Sequence, residues 1–112
     1  MLYQIADRAI ISGAIGVERF SDSIDLGTDN AAIINVVAVE MDAGGDISFS
    51  FVGSNSKLTN FVSTGPAPAT LSTTGAVGSL DLGATGWRFV RIKFTSSAGK
   101  NCYSATLATY RR

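Results

Sequence analysis

The feature that most constrains this chain is an internal echo. Ser23-Ile24-Asp25-Leu26-Gly27 returns almost unchanged as Ser79-Leu80-Asp81-Leu82-Gly83. Each copy is followed by a small loop, a long apolar run (Ile33 to Met41, then Trp87 to Thr95), a glycine turn and another β-rich stretch. Within the first copy polar and apolar residues alternate, which puts Ile24 and Leu26 on one face of a strand and Asp25 on the other, and Gly27 ends it. Two consecutive strand-turn-strand units at half-chain spacing predict two interleaved Greek keys, the organisation of a jelly roll. The expected fold is all-β, a single antiparallel β-sandwich in one domain of 112 residues. A domain of that size buries roughly 65% of the surface its unfolded chain exposes, so it needs no disulfide or metal to fold.

The strands themselves can be read from period and composition. Ile33 to Met41 is apolar at nearly every position, Asn35 and Glu40 excepted, as in a strand covered on both faces. Asp42-Ala43-Gly44-Gly45-Asp46 is expected to be a hairpin loop with its glycines at positive φ. Ile47, Phe49 and Phe51 alternate with Ser48 and Ser50, giving a half-buried strand in which each large residue is worth about 1.5 to 3 kcal/mol when fully buried. In Trp87 to Thr95 the inward set is Val90, Ile92 and Phe94, which leaves Trp87, Phe89, Arg91 and Lys93 on the opposite face. After Ser96 to Lys100, the last strand presents Tyr103, Ala105 and Leu107 on one side. Cys102, Ser104, Thr106, Ala108 and Tyr110 fall on the other.

Two segments fit these patterns less well. In residues 1–20, Leu2, Ile5, Ala6, Ala9 and Ile10 fit a helical stripe, while Ile10, Ile11, Ile15 and Val17 around Gly13 and Gly16 fit a broken strand. The β-branched residues and glycines oppose a helix, so an extended N-terminal arm is expected. Residues 53–78 form a connection rich in Gly, Ser, Thr and Pro. Pro66 and Pro68 exclude a central strand between them. Short strands are expected near Leu58 to Val62 and Ala69 to Ser72, with a surface loop from Gly65 to Pro68.

Composition bears on function mainly by exclusion. Charged residues are 16% of the chain, against ~25% in an average soluble domain. Ser, Thr and Gly take their place, which suits a surface partly covered by partners. The formal net charge is zero, yet the signs are segregated. Residues 1–46 hold eight acids and two bases, and residues 82–112 hold six bases and no acid. Such a split can pair the two halves within one fold or join neighbouring subunits. Neutrality with bases spread along strands is a poor nucleic-acid signature, and no direct nucleic-acid binding is expected.

No apolar run approaches ~20 residues and no basic region leads into one, so neither a membrane span nor a signal peptide is expected. Cys102, the lone cysteine, is read as a small buried hydrophobe. There is no histidine, which removes the commonest general base and metal ligand. Asp42 with Asp46, and Asp25 with Asp29, lack the dense spacing of a calcium loop. No glycine loop leads into a helix to cradle phosphate. No enzyme activity, metal or cofactor is expected. Trp87 and Phe89 could form a sugar-stacking platform, as in a carbohydrate-binding or receptor-binding module, or be buried in the core or at a subunit interface.

Several stretches together carry a resemblance. They are the N-terminal segment leading to Ser21-Asp22-Ser23-Ile24-Asp25-Leu26-Gly27, the strand Asp46 to Val52 with Gly53-Ser54-Asn55-Ser56, and Trp87-Arg88-Phe89-Val90-Arg91-Ile92 with a partner strand ending in Ala105-Thr106-Leu107. In this order the chain resembles small jelly-roll cement, or decoration, proteins on the heads of tailed bacteriophages. The resemblance implies a homo-oligomer, a trimer, seated on the outside of the capsid. There it would bind the major capsid protein and stabilise the head as a virion structural protein. The candidate partner-binding residues are Trp87, Phe89, Arg91, Lys93, Arg111 and Arg112.

Overall fold

The computed structural model describes residues 1–13 and 18–112. Nine strands fill them: β1 (Leu2–Ser12), β2 (Glu18–Phe20), β3 (Ile24–Asp25), β4 (Ala31–Met41), β5 (Ile47–Ser54), β6 (Val62–Leu71), β7 (Val77–Asp81), β8 (Phe89–Thr95) and β9 (Lys100–Tyr110). One sheet has the order β1-β9-β4-β7 and the other β2-β8-β5-β6, with β3 also pairing β8. All pairs are antiparallel. If β2 and β3 are counted as one interrupted strand, this is the jelly roll that the echo predicts.

The two copies of the echo form matching turns. Asp25 and Asp81 each accept a hydrogen bond from the glycine amide two residues on, at 2.8 and 2.9 Å. Gly27 and Gly83 sit at φ +59° and +71°, a conformation that glycine adopts without cost. Leu26 and Leu82 are buried beneath. Each copy then pairs with the strand that follows the other copy. In the first, Ile24 lies opposite Val90 of β8. In the second, Leu80 lies opposite Ile34 of β4.

The core is the set of inward residues that alternation marks: Ile34 and Val36 of β4, Ile47, Phe49 and Phe51 of β5, Val90, Ile92 and Phe94 of β8, and Tyr103, Ala105 and Leu107 of β9. Phe94 and Tyr103 meet across the two sheets with ring centroids 4.6 Å apart.

Four expectations are corrected. The segment read as an arm is extended, but residues 2–12 are docked as edge strand β1 along β9. Two register shifts, with Arg8 at φ +51°, break the alternation that would have marked it as a strand. Ile15 and Val17 lie outside the described residues.

The loop from Asp42 to Asp46 is no hairpin. It carries the chain from β4 in one sheet to β5 in the other, as residues 96–99 carry it from β8 to β9. Gly44 has the expected positive φ, whereas Gly45 is there because Asn101 Oδ1 fills the place of a side chain.

Gly65 to Pro68 is part of β6 and not a loop between strands. β6 is an edge strand, where prolines are tolerated. Cys102, finally, is half-buried on the outer face of β9.

Candidate functional site

The outer face of the β2-β8-β5-β6 sheet gathers half of the expected partner-binding residues. Phe89, Arg91 and Lys93 alternate with the buried Val90, Ile92 and Phe94 and are half-buried. Arg91 Nε donates to Ser23 Oγ at 3.1 Å. Its guanidinium lies over the Phe61 ring, 4.3 Å from the centroid, a cation–π contact that holds it against the sheet. Arg88 covers Phe89 in the same way at 5.3 Å. Lys93 is centred between Phe20 of β2 and Ser50 of β5.

Trp87 leaves this group. β8 begins only at Phe89, so the alternation that assigned Trp87 to the outer face does not reach it. Its indole occupies the space that a side chain at Gly53 would need. Gly53 has the inward parity of Ile47, Phe49 and Phe51, and lies opposite the inward Val90. Trp87 and Phe89 therefore form no shared stacking surface. Arg111 and Arg112 are elsewhere again, at the end of the sandwich beside the aspartate-glycine turns. Arg111 Nη1 donates to the Thr28 carbonyl at 3.0 Å, and the Arg112 amide to Asn30 Oδ1 at 2.7 Å.

The carboxylates are held by amides and hydroxyls far more than by cations. Asp42 accepts from the Lys100 amide at 2.8 Å, and Asp46 from the Ser97 amide at 2.7 Å and from the Ser97 hydroxyl. Asp29 accepts from the Thr109 hydroxyl at 2.6 Å. The hydroxyl and then the amide of Ser97 hold the Asp46 carboxyl below its ordinary value. The Tyr110 hydroxyl and then the Gly83 amide do the same for Asp81. For Asp25 the Gly27 amide contributes most, followed by Arg88. Among the described residues one side-chain ion pair joins the acidic and basic halves, Arg88 to Asp25 at 3.4 Å. Arg91 and Lys93 are in no ion pair among the described residues. No cluster of three or more potential metal ligands occurs among the described residues.

Hollows flank this pair of cations. One, of about 500 Å³, is bordered by Phe20, Asp22, Ser23, Lys57, Leu58 and Arg91. Another, of about 270 Å³, lies between Lys93 and the Gly65–Pro68 bulge of β6. Sequence reasoning missed the second hollow because it treated the bulge as a loop. The paired prolines after a glycine, in the edge strand beside the outward Ser50 of β5, were the available signal.

This surface lies on the outer face of one sheet of a jelly-roll sandwich. The fold is similar to a chain in the solved structure of infectious bursal disease virus, Gt strain, with a TM-score of 0.54 and 12% identity over 99% of this chain. This chain spans about a third of that one, 32% of its length. No family model and no curated protein matches the sequence.

Proposed function

We propose that this chain is a virion structural protein, a non-enzymatic subunit that binds a coat-protein lattice. The observation that carries the reading is the jelly-roll strand order, in a fold similar to a chain of a virus structure. The finer role is capsid cement or decoration: a homo-oligomer, a trimer, on the outside of a tailed-phage head, contacting the major capsid protein. Three features support it. Charge is scarce at 16%. Phe89, Arg91 and Lys93 present an aromatic and cationic strip whose two cations are in no ion pair among the described residues. Arg111 and Arg112 add two exposed cations at the end of the body. A strip of this kind suits a partner with an acidic contact face, where charge steers docking and buried aromatic area holds it.

The test is co-sedimentation with purified capsids together with light scattering of the free protein. Saturable binding to capsids by an oligomer is expected, weakened in an Arg91→Ala, Lys93→Ala double variant that melts normally. A strict monomer that leaves capsids untouched would overturn the proposal. Assembly of the protein alone into closed shells would replace cement with coat.

A further inference from the structure

We propose that the hollow between Lys93 and the β6 bulge is a binding site for an acidic sugar residue. The bulge is large. Phe49 pairs with Ala69 and Phe51 with Thr64, so Ser50 alone faces the four residues from Gly65 to Pro68. It is also stiff. Gly65 sits at φ +77°, and a Cβ there would lie 2.6 Å from Leu82 Cδ1, which ties the start of the bulge to the core. Pro66 and Pro68 fix two further φ angles. Protection of an edge strand accounts for prolines in β6. It does not account for a cavity of about 270 Å³ behind them that contains a single charged side chain, Lys93.

The lining matches the chemistry of such a ligand. Lys93, half-buried and in no ion pair among the described residues, borders the hollow and has an ammonium to offer a carboxylate bound there. An ammonium without a carboxylate partner can give an incoming anion a charge-assisted hydrogen bond. Ser50 and Ser63 border the same hollow with outward parity and offer hydroxyls that donate to and accept from ring hydroxyls. Pro66 and Pro68 provide a flat apolar wall for the carbon face of a pyranose. A rigid wall loses little freedom on binding, which favours a small ligand. The site shares Lys93 with the capsid-binding strip but uses neither Phe89 nor Arg91, so Arg91→Ala alone should weaken capsid binding and leave the sugar site intact.

The experiment titrates ¹⁵N-labelled protein with glucuronic acid and N-acetylneuraminic acid, and in parallel with glucose, acetate and a glutamate-rich peptide. The acidic sugars are expected to bind at millimolar strength and to shift the amides of Ser63, Thr64, Gly65 and Ala67. Glucose and acetate should each bind about tenfold more weakly, since each supplies half of the contacts. Lys93→Gln should lower affinity about tenfold while Lys93→Arg retains it, both with unchanged melting. Three results would each overturn the proposal: no shift up to 50 mM of either acid (about the weakest binding worth assigning to a site), equal binding of glucose or acetate, or tighter binding of the peptide at these amides.

Discussion

Asn101 is fully buried and joins the two loops that carry the chain between sheets. Its Nδ2 donates to the carbonyls of Asp46 and Ala98 at 3.1 and 2.9 Å and to Ser96 Oγ at 3.0 Å, and its Oδ1 accepts from the Asp42 amide at 3.2 Å. No hydrophobic residue of that size could replace it without stranding these groups. Asn101→Ala is therefore expected to lower unfolding free energy by about 2–4 kcal/mol, read from the shift of a urea midpoint. The surrounding aspartates set the response to acid. Asp25, Asp46 and Asp81 all titrate below the ordinary 3.8 in the folded protein. The unfolded chain takes up protons first, so their contribution is complete above that value and is lost as pH falls through the lower folded values. Thermal midpoints followed from pH 6 to about 2 should hold at first and decline in the acid range. Asp46→Asn should start lower at pH 6 and decline less.

At the scale of elements, the two outermost strands that the sequence concealed are those whose edges are spoiled. β1 carries two register shifts and Asp7-Arg8, and β6 carries the bulge with Pro66 and Pro68. These features keep an exposed edge from pairing with another chain, and the same features erase the alternation that identifies a strand. β4, β5, β8 and β9 are paired on both sides and need no such protection. β5, β8 and β9 were legible from period, whereas β4, read from its apolar run as covered on both faces, leaves Asn35 and Val37 exposed on one. What remained hidden was which strands pair. A turn of Asp and Gly serves equally to fold a hairpin or to cross between sheets, so Asp42 to Asp46 gave no sign of its destination. The candidate site divides in the same way. Period two placed Phe89, Arg91 and Lys93 together, but it misplaced Trp87, which precedes the strand. If β6 is blunted by its prolines, Pro66→Thr with Pro68→Val should leave the fold intact and raise self-association. Sedimentation velocity should show concentration-dependent larger species that the parent chain does not form.

Across the whole molecule, the order of strands gives the charge split its meaning. Each sheet alternates between strands from β1 to β5 and strands from β6 to β9, and every ladder joins the first group to the second. Among the described residues neither half has a strand pair of its own. Residues 1–56 hold eight acids and two bases, and residues 57–112 hold seven bases and one acid. The halves thus carry opposite net charge of six each, and folding interleaves them strand by strand. Few specific ion pairs result, so the attraction acts through the field between the two segments and less through contacts. A field of this kind assists the long-range pairings that an all-β topology must otherwise find at high entropic cost. The sequence alone left pairing within one fold and pairing between subunits both open, and this strand order favours the first. A chain divided in the exposed 55–60 loop should therefore behave in a definite way. Peptides 1–56 and 57–112 should each lack β-structure by far-UV circular dichroism and regain it when mixed. Their association rate should fall as salt rises from about 20 to 500 mM, because screening shortens the reach of the field. Recovery at a salt-independent rate would mean that the charge split takes no part in assembling the fold. A fold in either peptide alone would mean that the ladders between halves are not what holds the sandwich together.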